Sequence, residues 1–172
     1  MNHNPFYTTS KTMTKSLVSL KNIVAKIPEF AVSKGLLESE VLDMKLTPDM
    51  LNLTKQLQIA SDNAKFFVAS MGDVEAPKNP DIESTVDELL HRIESTISFM
   101  NSVDEANYND AHTRTKTFSY MPGMYLEATD YLIQNAIPNF YFHVTMAYAI
   151  LRANGMQLGK QDFIGGMDIK PI

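Results

Sequence analysis

The sequence predicts an all-α four-helix bundle, with long connections and a small β-hairpin before the last helix. Three observations carry this. Four segments of about 20 residues repeat apolar side chains at alternating three- and four-residue steps, the spacing of one helical stripe. Capping residues open these segments, and glycine or proline closes most of them. The stretch RTKTFSYMPGMYLEA breaks the pattern: Phe118 and Tyr120 alternate, and Pro122-Gly123 fits the central positions of a type II turn. Residues 1–172 are expected to form a single domain.

The first helix is expected to begin after Asn4-Pro5, with asparagine as cap and proline at the first helical position. Met13, Leu17, Leu20, Val24 and Ile27 form its stripe. Pro28 should end or kink it and start a further turn that Gly35 stops. The segment LLESEVLDMKL reads equally as a short helix or a connector. Thr47-Pro48-Asp49 looks like the start of the second helix, whose stripe is Met50, Leu53, Leu57, Ala60, Ala64, Phe67 and Met71, stopped by Gly72. The third helix has two candidate starts, Asp81 and Ser84, the latter with Asp87 as an acidic capping partner. Val86, Leu90, Ile93, Ile97 and Met100 form its stripe, and Glu88 with Arg92 reads as an exposed i,i+4 pair. After a polar loop over 103–113 and the hairpin, the fourth helix starts near Thr129. It carries Ile133, Ala136, Phe140, Val144, Ala147 and Leu151 inward and closes at Asn154-Gly155.

Composition narrows the function. A net charge of −5 with no basic run argues against a nucleic-acid surface. With no cysteine, disulfides, thiolate metal sites and a cysteine nucleophile are excluded. The N-terminus has no apolar signal region, and no window is apolar for the ~18 residues a membrane span needs, so a cytoplasmic protein without a membrane partner is expected. No serine lies in a G-x-S-x-G setting, and no glycine-rich loop follows a strand.

The candidate chemistry centres on the fourth helix. His143 should lie about 60° from the middle of its apolar stripe, at the core edge, with Asn139 one turn earlier on the same side. Pro138 frees the carbonyl of Gln134 and should kink the helix beside this pair, and Tyr141 and Tyr148 add phenols nearby. A bundle-core site needs groups from a facing helix. The second helix offers two polar flanks, Asp49, Gln56 and Asn63 on one side and Gln58 and Asp62 on the other. His91 and His112 fall on charged or polar stretches, and His3 in the N-terminal stretch. The apolar residues Leu158, Phe163 and Ile164 of the tail should fold back onto the bundle and cover the mouth of the site, or form a dimer contact.

The stretches NFYFHVTMAYAILRANG…LGKQDFIG and TPDMLNLTKQLQIASDNAK together resemble a branch of unknown function in the DinB/YfiT-like superfamily of metalloenzymes. The resemblance covers nearly the whole chain. It implies a DinB-like four-helix bundle, often dimeric. In many such proteins one histidine on the second helix and an H-x-x-x-H pair on the fourth bind nickel or zinc, and some relatives are thiol-dependent transferases. Matched residue by residue, His143 falls on the second histidine of the pair, Asn139 on the first, and Gln58 (or Gln56, if the register shifts) on the second-helix ligand. Amide oxygens suit harder cations than imidazole does, so a nickel, zinc or manganese ion held through His143 should bind weakly. The expected function is therefore binding of a small polar ligand between the second and fourth helices. The expected pocket is His143, Asn139, Gln58, Asp62, Tyr141 and Gln56. Two alternatives stay open: a divalent-metal-dependent enzyme of transferase or hydrolase type, and a non-catalytic, homodimeric interaction protein.

Overall fold

Asn4 opens the first helix as its sequence requires, its side-chain oxygen accepting from the amides of Phe6 and Tyr7 at 3.0 and 3.3 Å. The computed structural model describes residues 4–171, so His3 lies outside the described residues. Helix α1 spans Pro5–Val24, followed by α2 (Ile27–Lys34), α3 (Glu38–Leu42), α4 (Leu53–Gly72) and α5 (Val86–Asn101). Two short 3-10 turns lead into strands β1 (Thr115–Thr117) and β2 (Tyr125–Glu127). Then come α6 (Ala128–Tyr131), a π-helical turn over Leu132–Ala136, α7 (Ile137–Ala153) and α8 (Lys160–Ile164). The four long helices, α1, α4, α5 and α7, make the bundle. Helix α4 packs against each of the other three.

Pro28 sits in the first turn of α2, and Gly35 ends that helix in the left-handed region, at φ 66°. The ambiguous segment after it forms the short helix α3. Pro122 and Gly123 occupy the expected turn positions: Gly123 has φ 80°, and the amide of Met124 donates to the carbonyl of Met121 at 3.1 Å. The strands are antiparallel, with Lys116 opposite Leu126, and Phe118 and Tyr120 lie in the connecting loop.

Two helix starts differ from expectation. Helix α4 begins at Leu53, capped by Asn52, rather than at Thr47-Pro48-Asp49. The Asn52 side chain binds the Lys55 amide at 3.0 Å and the Asp43 carboxylate at 2.8 Å, and the Leu53 amide reaches back to Met44. The Thr47 hydroxyl is taken up locally by Asp49. Helix α5 is capped by Thr85, with Glu88 as the reciprocal partner, rather than by Ser84 with Asp87. Glu88 is therefore committed to the cap, and the expected exposed pair with Arg92 does not form. Gly72 is the last residue of α4 rather than its stop, which is Asp73 at φ 53°.

The core stripe of α1 is buried as expected, and that of α4 is buried from Leu53 to Met71. Met50, also expected in it, lies ahead of the helix and is half-buried. On the last helix the π turn changes the register. Ile137 donates its amide to the carbonyl of Leu132, five residues back, immediately before Pro138, which has no amide hydrogen to give. The wide turn rotates the preceding residues relative to α7. Leu132 turns inward at 6% exposure and Ile133, expected in the core, turns out at 58%.

Arg92 is buried between α5 and α4 with a set of acids around it. Its guanidinium donates to Glu83 at 2.7 Å, Asp81 at 2.8 Å and Asp62 at 2.9 Å, and Lys65, also buried, meets Asp62 at 2.8 Å. Burial opposes the Arg92 charge, yet the surrounding carboxylates overcome this and hold its pKa above the ordinary value. The network ties the 81–83 segment to the bundle. Replacing Arg92 by Met should strand Asp62 and Glu83 without their cation and lower stability by about 3–5 kcal/mol. Urea unfolding at pH 7 measures this; a loss under 1 kcal/mol would show that the acids relax into solvent.

Candidate functional site

The antiparallel seam of α4 and α7 carries two polar pairs. At one level Gln56 faces His143, and their Oε1 and Nδ1 atoms lie 2.7 Å apart. The other end of the Gln56 amide donates to the Leu51 carbonyl at 3.2 Å, which fixes the amide orientation. The oxygen therefore faces the imidazole, and Nδ1 must carry the proton that it receives. At the second level Asn139 donates through Nδ2 to Oδ1 of Asn63 at 3.0 Å. Among the described residues the Nδ2 of Asn63 has no partner.

The flank of α4 that faces His143 is thus the one bearing Gln56 and Asn63. Gln58 and Asp62 lie on the opposite flank, against α5. Gln58 donates to Glu83 at 2.7 Å and Asp62 belongs to the Arg92 network, so neither shares a pocket with His143. Their departure has a simple cause: the buried Arg92 guanidinium needs acceptors, and α4 supplies the Asp62 carboxylate and the Gln58 carbonyl from this side. Tyr141 turns toward α1, where its phenol lies 3.3 Å from the Ser16 hydroxyl. Tyr148 packs edge-on against Phe163 of the tail. Helix α8 docks on α1, with Lys26 donating to Asp162 at 2.6 Å, and the tail does not line the cavity described next. His91 is exposed beside Ser95, and His112 is exposed as well.

A cavity of about 340 Å³ opens at the Asn63–Asn139 end of the seam. Its wall includes Asn63 and Phe66 from α4, Asn135 from the π turn, and Asn139 from α7. Tyr131 and the hairpin residues Lys116 to Tyr120 complete it. The Lys116 ammonium donates to the Ser70 hydroxyl at 2.9 Å and lies 5.6 Å from the ring centroids of both Phe66 and Tyr131. Burial pushes the Lys116 pKa down, and burial likewise holds the Tyr131 phenol well above its usual range. Sequence reasoning passed over Asn135 and Lys116. The first was legible as an N-x-x-x-N spacing with Asn139; nothing in the three-residue strand marks the second.

Among the described residues no three His, Cys, Asp or Glu side chains are grouped so that they could hold a metal ion. Around His143 the available groups are one imidazole and side-chain amides, a set suited to hydrogen bonding and not to a nickel or zinc centre. No helix among the described residues is long and apolar enough to cross a membrane.

His143 is only 8% exposed, and burial lowers its pKa below the ordinary 6.5. The unfolded chain then binds a proton that the folded chain resists. Stability is retained above about pH 6.5 and is lost as pH falls from there through the depressed folded value. Relative to His143→Gln, the wild-type protein should therefore lose melting temperature between pH 7 and pH 5. Parallel melting curves across that range check this, and coincident slopes would show that the imidazole is free to charge.

Residues 6–164 match the family described as Domain of unknown function (DUF1993). In structure the chain is similar to a crystal structure of a DinB family member protein from Shewanella denitrificans, with a TM-score of 0.90 and 38% sequence identity. The match covers 95% of this chain and 93% of the other. No curated protein matches the chain.

Proposed function

We propose that this chain, which belongs to the DUF1993 family of DinB-like helical bundles, binds a small polar ligand in the cleft between α4 and α7. The observation that supports this reading is the 340 Å³ cavity at the end of a seam of paired amides, with a buried Asn63 donor beside it that has no partner among the described residues. The size suits a single small molecule. Three asparagines supply both donors and acceptors, so the cleft can read the polar edge of a ligand without changing charge.

In this reading His143 acts as a fixed support. Its Nδ1–H holds Gln56, which in turn is anchored to the Leu51 carbonyl, so the seam cannot slide where the cleft begins. A stoichiometric nickel or zinc ion plays no part, because the donor set offers one imidazole where such a site uses three. A cation bound here would have to be held by amides and water.

Thermal-shift screening of small polar metabolites tests the reading. A true ligand raises the wild-type melting temperature, and Asn139→Leu abolishes the shift while His143→Gln only weakens it. A shift that survives in both Asn139→Leu and Asn63→Leu would place binding elsewhere. Elemental analysis of protein purified without chelator should give sub-stoichiometric metal. Stoichiometric nickel or zinc, lost in His143→Gln, would overturn the metal-free reading in favour of a metal-dependent enzyme.

A further inference from the structure

We infer that the cleft selects a small aromatic carboxylate, its carboxylate set against Lys116 and its ring laid between the aromatic walls. This rests on the cleft being the ligand site. Of the described residues that line the cavity, Lys116 is the one with a charged side chain. Among the described residues no carboxylate comes within ion-pairing distance of it, although the chain holds 20 acidic residues against 15 basic ones.

The contrast with its neighbour is instructive. Lys65 stands over the same Phe66 ring, 4.6 Å from the centroid, but its charge is matched by Asp62 at 2.8 Å. Arg92, buried on the far flank of α4, meets three acids. Among the described residues the two fully buried cations, Lys65 and Arg92, each have a counterion, and half-buried Arg114 is held by the carbonyls of Met71 and Asn107. Half-buried Lys116, in the cavity wall, has no acid. There the ammonium has one hydroxyl partner, Ser70, and two further N–H donors. A carboxylate arriving from solution completes the pairing and removes the penalty of the half-buried charge.

The rest of the wall specifies what carries the carboxylate. Tyr131 and Phe118 meet edge to face at 6.2 Å, Phe118 and Tyr120 lie 5.4 Å apart, and Phe66 also lines the cavity. These faces accept a ring, since aromatic groups favour offset or edge-on neighbours at these separations. The unpartnered Nδ2 of Asn63 can donate to a ring substituent or to the second carboxylate oxygen. A single positive charge and 340 Å³ suit a monoanion of one ring. A phosphate ester or nucleotide would bring more charge and more bulk than the cleft answers.

Isothermal titration with 4-hydroxybenzoate, its neutral isostere 4-hydroxybenzamide, and the aliphatic carboxylate butyrate tests the assignment. Wild-type protein should bind 4-hydroxybenzoate at least about tenfold more tightly than either comparison compound. Lys116→Met should remove that advantage, leave the amide unchanged, and be partly rescued by Lys116→Arg, with circular dichroism and melting curves reporting the fold of each variant. Equal binding of acid and amide to wild-type protein would overturn the carboxylate assignment and leave the cleft reading standing; that comparison needs no variant. Butyrate equal to 4-hydroxybenzoate would overturn the aromatic part. If neither aromatic probe binds at millimolar concentration the inference fails, and the metabolite screen with Asn139→Leu judges the cleft reading separately.

Discussion

Helix α4 is enclosed on both flanks, and its polar side chains must therefore be satisfied by protein. A buried amide or charge without a partner costs several kcal/mol, roughly 2–7 for a neutral group and more for an ion. Facing α7, the helix pairs Gln56 with His143 and Asn63 with Asn139. Facing α5, it pairs Gln58 with Glu83, and Asp62 with Lys65 and Arg92. These contacts fix the rotation of α4 more tightly than its apolar stripe alone could, since Leu, Ala and Phe tolerate small slides. The cleft exists because one flank of this arrangement ends short of the hairpin and leaves Asn63 half satisfied.

Much of the fold is legible because it rests on signals that act locally. Asn4-Pro5, Pro28 with Gly35, and Pro122-Gly123 each impose their backbone geometry within a few residues, and the structure uses all three as read. The failures have a common character. Thr47-Pro48-Asp49 is a good cap in isolation, but Asn52 gains a second bond to Asp43, a partner nine residues back. Ser84 yields to Thr85 in the same way, because Glu88 can then accept from the amides of both residues. Competition between two plausible caps is decided by such additional bonds, which periodicity does not contain.

The site was only half legible for a related reason. Asn139 and His143 share a helical edge by arithmetic, and the structure brings both to α4. The identity of the facing flank depended on Arg92, which the sequence presents as an ordinary i,i+4 partner of Glu88. Once Arg92 is buried, Asp62 is drawn to it, and Gln56 and Asn63 are what remains for α7. Lys116 could not be found from sequence at all. Its significance lies in lacking an acid, a property of three-dimensional surroundings.

The π turn can also be understood by counting residues. A π turn closes its hydrogen bond over five residues where an α-helix uses four, so Leu132–Ala136 holds one residue more than a regular helix between Tyr131 and Pro138 would need. Tyr131 and the hairpin lie on one side of that surplus residue, Asn139 and His143 on the other. Removing one residue there would restore an ordinary helix and turn one half of the cleft by about 100° against the other. The alignment of the aromatic wall with the asparagine edge is thus set by an integer number of residues, which no change of side chain can adjust.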